Sequence, residues 1–319
     1  MDRINTILIS LLCLLLTACS QPKDPTIKLA INPWPGYEFL YLAKEKGLYE
    51  KAGLNVEIIE APSLAEVKRL FHQGKANAMT STMIEAVTLA AKYQKKISIV
   101  LIADYSNGGD MILAKTDIAD FNQIVGKRVG VELGSLGSFF LHQALAKNDL
   151  TLSDIDMLNI EQLDASEAFD KDLIDAYVTY PPYANILQKD HDVHMIFNSR
   201  DIPKTILDVV TVSSDLLEQD PTWINRFHNV WQTALDYAKK HPIEAHNIMA
   251  KREGIDADEF AAALTDLKIL TSADQKALLT EQGLKQNMQQ VCSVLNVTNN
   301  IEFDCTQLSS YLKIGTLSD

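Results

Sequence analysis

From Thr26 onward the chain alternates short β-rich runs with longer amphipathic helical patterns, and this alternation narrows its possible folds more than any other feature. Parallel strands cannot be joined by a tight turn and need a crossover, usually a helix. The pattern therefore predicts an α/β protein with mainly parallel sheets. A strand over Ile27 to Ile31 runs into the turn-rich loop Asn32-Pro33-Trp34-Pro35-Gly36. Glu38 to Glu50 then carries Phe39, Leu40, Leu42 and Ala43 at helical spacing, and Gly47 and Gly53 mark the exit. Asn55 to Glu60 alternates as a second strand, Leu64 to His72 is a second helix and Ala76 to Thr80 a third strand, which completes a βαβαβ opening. Met83 to Tyr93 follows as a helix and Ile97 to Ala103 as an apolar run suited to a buried strand.

A second, similar set begins near Asp120. Arg128 to Glu132 reads as a strand, Gly134 to Ser138 as a glycine-serine turn, and Phe139 to Lys147 as a helix; Asp156 to Ile160, Ala176 to Thr179, His194 to Phe197 and Val209 to Val212 are further strand candidates. After about Pro221 the chain is almost wholly helical, over Trp223 to Lys240, Pro242 to Arg252, Ala257 to Leu264 and Ser272 to Asn287. The chain has 319 residues and is 47% hydrophobic. That exceeds what one hydrophobic core usually serves, so two globular lobes are expected.

The N-terminus adds an address. Arg3 leads into the apolar run Ile7 to Leu16, with the n-region and h-region of a secretory signal, and the run is too short to span a bilayer. Leu16-Thr17-Ala18-Cys19 resembles the lipobox of bacterial lipoproteins, in which the cysteine is acylated before cleavage. The resemblance implies a signal peptide over residues 1–18 and a mature chain that begins at a lipidated Cys19; an uncleaved anchor, or an ordinary signal with a chance cysteine, are the alternatives. Residues 19–25, rich in Pro and polar groups, read as a flexible tether. With Cys13 and Cys19 so used, Cys292 and Cys305 form the pair left in the folded body. In an oxidising compartment they are expected to form a disulfide, the alternative being two free buried thiols. The net charge is −13, and loss of residues 1–18 removes one Asp and one Arg and leaves it unchanged. Basic residues alternate with acidic ones instead of clustering, which argues against a nucleic-acid partner.

Several segments carry a family resemblance. Asn32-Pro33-Trp34-Pro35-Gly36-Tyr37-Glu38, the Gly47-Leu48-Tyr49 helix exit and the Gly53-Leu54-Asn55-Val56 strand entry resemble the opening of the solute-binding proteins of the nitrate/sulfonate/taurine and thiamine-precursor group. Asp104-Tyr105-Ser106-Asn107-Gly108-Gly109-Asp110 is similar to that group's crossover segment, Gly130-Val131-Glu132 with Gly137 to its second-lobe turn, and Asp175-Ala176-Tyr177-Val178-Thr179-Tyr180 to the strand that ends in its ligand cleft. The likeness spans roughly residues 26 to 215. It implies a two-lobed type II periplasmic-binding-protein fold with a helical C-terminal segment, two crossovers, and one small ligand enclosed between the lobes by hinge closure. Residues 26–110 and 213–319 are assigned to lobe I and 111–212 to lobe II. Pro181-Pro182 departs from the Glu-Pro often found there in the group, which removes a carboxylate from that loop.

In open α/β sheets ligands bind beyond the C-terminal strand ends, and that rule selects a few loops. Trp34, Tyr37 and Glu38 follow the first strand and offer an aromatic face and a carboxylate; Trp34 between prolines is equally suited to bracing the loop. Thr80, Ser81 and Thr82 are expected after the third strand, as ligand contacts or as plain helix caps. Asp104 and Asp110 flank the first crossover, facing the ligand or bracing the hinge. Ser135 and Ser138 lie in a turn that opens a helix, whose N–H groups favour an anionic group, but no arginine lies beside it. Thr179 and Tyr180 end the cleft strand, with Tyr183 close by. Aromatic residues combined with Glu38, Asp104 and Asp110 suit a cationic or zwitterionic amine or a planar amino-heterocycle. His191 and His194 flank an aspartate, but residues three apart on a strand point to opposite faces, so no metal site is expected there.

The expected function is a lipid-anchored extracytoplasmic receptor that hands a small molecule to an ABC permease, as a monomer and without a cofactor. The alternative keeps the fold and docks the loaded form on a membrane sensor. One branch of the group makes the thiamine pyrimidine, but its Cys-Cys-Cys-Phe-Cys motif is absent here, as are Gly-x-Ser-x-Gly, P-loop and His-Glu-x-x-His patterns, so no enzymatic activity is expected.

Overall fold

The structure is a computed structural model and describes residues 25–278, 281–298 and 302–315. The signal-like run, Cys19 and the tether through residue 24 lie outside the described residues.

The first lobe opens with β1 (Ile27–Ile31), α1 (Glu38–Glu45), α2 (Leu48–Lys51), β2 (Val56–Glu60), α3 (Leu64–His72), β3 (Ala78–Thr82), α4 (Met83–Tyr93) and β4 (Ile97–Ser106). The second contains β5 (Met111–Lys115), β6 (Arg128–Val131), α5 (Leu136–Lys147), β7 (Asp156–Asn159), α6 (Ala165–Asp170), β8 (Ala176–Thr179), α7 (Tyr183–Asp190) and β9 (Val193–Asn198). The chain then returns through β10 (Leu207–Ser213) to α8 (Ser214–Gln219), α9 (Trp223–Lys240), α10 (Pro242–Glu253), α11 (Ala257–Leu264), β11 (Leu267–Ile269), α12 (Ser272–Leu278), α13 (Glu281–Thr298) and β12 (Leu312–Ile314).

Among the described residues the strands form two sheets. The first runs β11-β4-β10-β3-β1-β2, with β12 added alongside β4, and the second runs β7-β6-β8-β5-β9. The β1–β2, β1–β3, β6–β7 and β6–β8 pairs are parallel, whereas β10 runs antiparallel between β3 and β4. This is the mixed α/β, two-sheet architecture of the type II periplasmic-binding-protein fold.

Three expectations change. The strand expected over Val209 to Val212 in the second lobe is β10 and belongs to the first sheet, so the return crossover lies between β9 and β10 and not at residue 212. Its Val-rich, two-faced burial is the same in either sheet, and only the pairing decides the assignment. The helix expected over Glu38 to Glu50 divides at Gly47, whose φ of 62° is left-handed and ends the first helix. Thr80, Ser81 and Thr82 lie inside β3 and not after it.

The helical tail covers lobe I. Trp223, Ile224, Phe227, Val230, Trp231, Ala234 and Ala238 repeat at three- and four-residue spacing and are all buried, the stripe an amphipathic helix turns to a core. Phe39 meets Trp231 edge-on at 5.7 Å, Tyr49 stacks on Phe227 at 6.1 Å, and the Trp231 indole donates to Leu270 O at 2.8 Å. Helix α13 packs on both α4 and α5. Cys292 of this helix is bonded to Cys305, which ties it to the turn that leads into β12. No helix among the described residues is long and apolar enough to cross a membrane.

The disulfide closes a loop of sequence separation 13. Replacing both cysteines by serine is expected to lower unfolding free energy by about 3 kcal/mol, measured by denaturant titration.

Candidate functional site

The two crossovers bring the lobes together at one place. Ser106 and Ser199 share a hydroxyl hydrogen bond at 2.7 Å, and Gly108 N donates to Ser199 Oγ at 2.6 Å, so the outgoing and returning connections are fastened to each other. Their strands pair directly, and the antiparallel register sets Asp104 of β4 opposite Asp208 of β10. In front of this pair lies a small pocket lined by Asn32, Trp34, Tyr37, Leu64 and Asp208 of lobe I and by Leu136 and Tyr180 of lobe II. Its cavity volume is about 10 Å³, the space of one water at most, so the lobes stand nearly closed on each other. A larger depression lined by Lys240, Pro242 and Ile243 lies at the α9–α10 corner, is open to solvent and includes none of these residues.

Aromatic rings form the walls. Trp34 is 5.9 Å from Tyr180 in an edge-to-face arrangement, and Tyr180 is 5.7 Å from Tyr183 in another. The Tyr180 hydroxyl is buried without a hydrogen-bond partner. Tyr183, at the start of α7, donates its hydroxyl to Pro62 O of the opposite lobe.

Asp208 lines the pocket, and Asp104 and Asp110 are buried near it. Tyr37 donates to Asp208 Oδ1 at 2.6 Å, and the Trp34 indole N–H lies 3.4 Å from both oxygens of Asp104. Asp110 N donates to Ser106 Oγ at 3.1 Å, but its side-chain Oδ2 has no partner, and neither has Asp208 Oδ2. All three aspartates are almost fully buried, and among the described residues no lysine or arginine pairs with any of them. Burial raises Asp104 and Asp110 each to about 7. Burial, and then the charges of Asp104 and Asp110, push Asp208 well above the usual carboxylate range, which favours its protonated form. A positive group beside Asp208 would favour its ionised form. At an effective dielectric of about 20, a unit charge gains roughly 4 kcal/mol from one carboxylate at about 4 Å, and an anion loses as much.

The structure uses the other expected residues differently. Glu38 is fully buried and ion-paired with Arg252, whose backbone-facing nitrogens also reach Asn32 O and Ile31 O at 3.4 Å. Thr80 bonds Asn32 Oδ1 at 3.3 Å, Ser81 bonds Thr211 at 3.3 Å, and Thr82 caps α4. Ser135 donates to Glu85, Ser138 accepts from Gly134 N at 3.1 Å, and Thr179 donates to Gln162 at 3.0 Å. Their polar groups are spent within the protein. Trp34, Tyr37 and Tyr180 line the pocket; Asp104 stands behind it. His191 bonds Ser166 Oγ at 2.7 Å and packs on Phe169.

Asp208, Glu85, Glu132, Arg252 and Glu253 are absent from the sequence-based selection. Each had a signal. Asp208 interrupts the apolar run Ile206-Leu207-Asp208-Val209-Val210, and Glu85 stands among the buried apolar residues Met83, Ile84, Ala86 and Val87. Arg252 and Glu253 end α10, in the tail whose helical pattern carries no ligand motif. Glu253 is buried with both carboxylate oxygens unpartnered, and burial, then the nearby Glu38, push it well above the usual range.

The chain is similar to known proteins both in sequence and in fold. The family described as NMT1/THI5 like matches residues 34–245. A Brucella abortus (strain 2308) protein named as a binding protein is 26% identical over 262 residues, covering 78% of this chain and 77% of that protein. The Schizosaccharomyces pombe 4-amino-5-hydroxymethyl-2-methylpyrimidine phosphate synthase is 30% identical over 115 residues, but that match covers 36% of this chain and 33% of that protein. In structure, the chain is similar to the periplasmic aliphatic sulphonate binding protein SsuA from Escherichia coli, with a TM-score of 0.73 at 17% identity over 90% of this chain and 98% of that one.

Two outcomes follow from the buried aspartates. A Cβ on Gly36 would stand 1.9 Å from Asp104 Oδ2 and 2.8 Å from the Trp34 indole nitrogen. Gly36→Ala is therefore expected to cost about 1–3 kcal/mol of stability, read by thermal melting. The raised aspartates also set a pH dependence. An unfolded aspartate titrates near 3.9, so the ligand-free folded state binds more protons than the unfolded state between about pH 4 and pH 7. Stability contributed by these groups is complete below that window, falls as pH rises through it and levels off above. Asp208→Asn, which keeps the shape and removes a charge, should flatten this fall in a melting series from pH 4.5 to 8.5.

Proposed function

The chain belongs to the NMT1/THI5-like family, and on that footing we propose that it is the solute-binding component of an ABC-type import system and encloses a small cationic or zwitterionic amine, or an amino-heterocycle, between its lobes. One observation carries the ligand class: Asp104, Asp110 and Asp208 are buried together without a basic partner, beneath walls made of Trp34, Tyr37 and Tyr180. A desolvated cation receives both Coulombic attraction and aromatic faces from such a site. An anion meets the opposite field, and the polar groups of the Gly134–Ser138 turn are already engaged.

The mechanism is binding without a covalent step. A ligand that bridges Asp208 of one lobe and Tyr180 of the other interacts fully only in the closed form, and this difference in affinity shifts the open/closed equilibrium. The closed shape is then the one a permease reads. The lipobox-like Leu16-Thr17-Ala18-Cys19 supports a lipid anchor at Cys19, which would hold the protein at the extracytoplasmic face of a membrane and raise its effective concentration near that permease.

A thermal-shift and calorimetric screen against amines, aminopyrimidines, amino acids, sulfonates and nitrate tests the ligand class. An amine or aminopyrimidine at about a hundredfold excess over its Kd should stabilise by about 2.7 kcal/mol. Its affinity should rise with pH up to about 7, with protons released on binding, because the bound form favours ionised Asp104 and Asp110. Stabilisation by sulfonate or nitrate while amines and pyrimidines have no effect would sink this reading. Cys19→Ala is expected to move the protein from the membrane to the soluble fraction, as read by fractionation.

A further inference from the structure

Three charged side chains outside the ligand pocket join the lobes. Glu85, in the first turn of α4 of lobe I, accepts from Thr82 N through Oε2 at 2.9 Å. Its other oxygen, Oε1, crosses to lobe II and accepts from Ser135 Oγ at 2.9 Å and from Leu136 N at 2.8 Å. One carboxylate thus serves the N-termini of a helix in each lobe. Glu132 does the converse. It follows β6 of lobe II, and its Oε1 accepts from Ala65 N of lobe I at 3.0 Å, in the first turn of α3. Lys68, one turn further along α3, donates to Gly134 O of lobe II.

We propose that Glu85, Glu132 and Lys68 form a reciprocal latch that positions the two lobes for enclosure, each lobe lending a carboxylate to a helix N-terminus of the other. The first N–H groups of a helix have no partner within it and carry a partial positive charge. In the closed form α3 and α5 both receive a carboxylate in these positions, at charge-assisted hydrogen-bond distance. Glu85 and Glu132 are nearly inaccessible to water at 1% and 2% exposure, so these bonds form in a dry interface. The latch also shapes the pocket. Leu136 donates its N–H to Glu85 while its side chain is a pocket wall, and Leu64 occupies the same place beside the Glu132 contact. The glycines around it fit the close approach: Gly134 has a left-handed φ of 71°, and a Cβ on Gly137 would meet Val131 Cγ2 at 2.9 Å. Pocket shape and lobe closure are therefore set by the same backbone atoms, whatever the ligand.

Hydrogen exchange read by mass spectrometry on the full ligand-free chain tests the latch. Glu85→Ala removes only the contacts to residues 134–137 and to Thr82. If the latch is one unit, exchange should rise about tenfold at 134–137 and also at 63–67, where no bond has been removed, because opening exposes both helix N-termini together. Glu85→Gln keeps the acceptor oxygens and should restore part of the protection at both segments. Lys68→Met, changed on the opposite lobe, should raise exchange at the same two segments and provides an independent variant if Glu85→Ala folds poorly. A rise confined to 134–137 in Glu85→Ala, no change at either segment, or a uniform rise across both sheets would each overturn the proposal.

Discussion

Three aspartates buried without a counter-charge, on β4, on β10 and on the bend between β4 and β5, are the constraint on which the place between the lobes depends. β4 and β10 carry the chain toward and away from lobe II, and their register sets Asp104 against Asp208 at the hinge end of the ladder. A buried carboxylate left alone is costly, and three together cannot all ionise. The surroundings are arranged to tolerate the cluster. Tyr37 and Trp34 supply donors, Ser106 fixes the backbone of Asp110, and Gly36 leaves the volume that the Asp104 carboxylate fills.

Acidic side chains serve a second purpose a few ångströms away. Glu85 and Glu132 are buried as well, but each finds backbone N–H donors at a helix N-terminus, where a negative charge is stabilised. The aspartates have no such donors on Oδ2 of Asp110 and Asp208. The difference between a structural carboxylate and a ligand-seeking one lies in this unequal supply of donors and not in residue type or depth of burial. Buried polar groups without partners are uncommon in folded proteins, and two of them, Asp208 Oδ2 and the Tyr180 hydroxyl, belong to residues that line the interlobe pocket from opposite lobes, which supports the proposal that it is the ligand site.

The fold by itself leaves the ligand undecided. A similar architecture in Escherichia coli is that of a sulphonate-binding protein, and a partial sequence match in Schizosaccharomyces pombe is a pyrimidine phosphate synthase. A scaffold of two α/β lobes around a cleft accommodates such variety because the cleft loops can change while the sheets do not. The ligand class we propose for this chain rests instead on Asp208 in the pocket and on Asp104 and Asp110 buried near it.

The βαβαβ opening, the second α/β set and the helical tail were legible in the sequence, because periodicity of apolar residues reports which face of each element is buried. Helices over Leu64 to His72, Met83 to Tyr93 and Trp223 to Lys240 coincide with their apolar stripes. Trp34, Tyr37 and Tyr180, which line the interlobe pocket, were legible as residues near the cleft, since loops at strand ends face it. Pairing was not. Whether Val209 to Val212 belongs to the first sheet or the second depends on hydrogen bonds to β3 and β4, residues more than a hundred positions away in the chain, and local pattern carries no trace of them. The same holds for the partners of each buried acid. Only the tertiary structure shows that Asp208 stands against Asp104, that Arg252 of the tail neutralises Glu38, and that Glu85 reaches across the lobes to Leu136. The sequence by itself determined which residues are buried or lie near the cleft; the tertiary structure alone decided which buried charges are satisfied, because satisfaction depends on long-range geometry and not on neighbours in the chain.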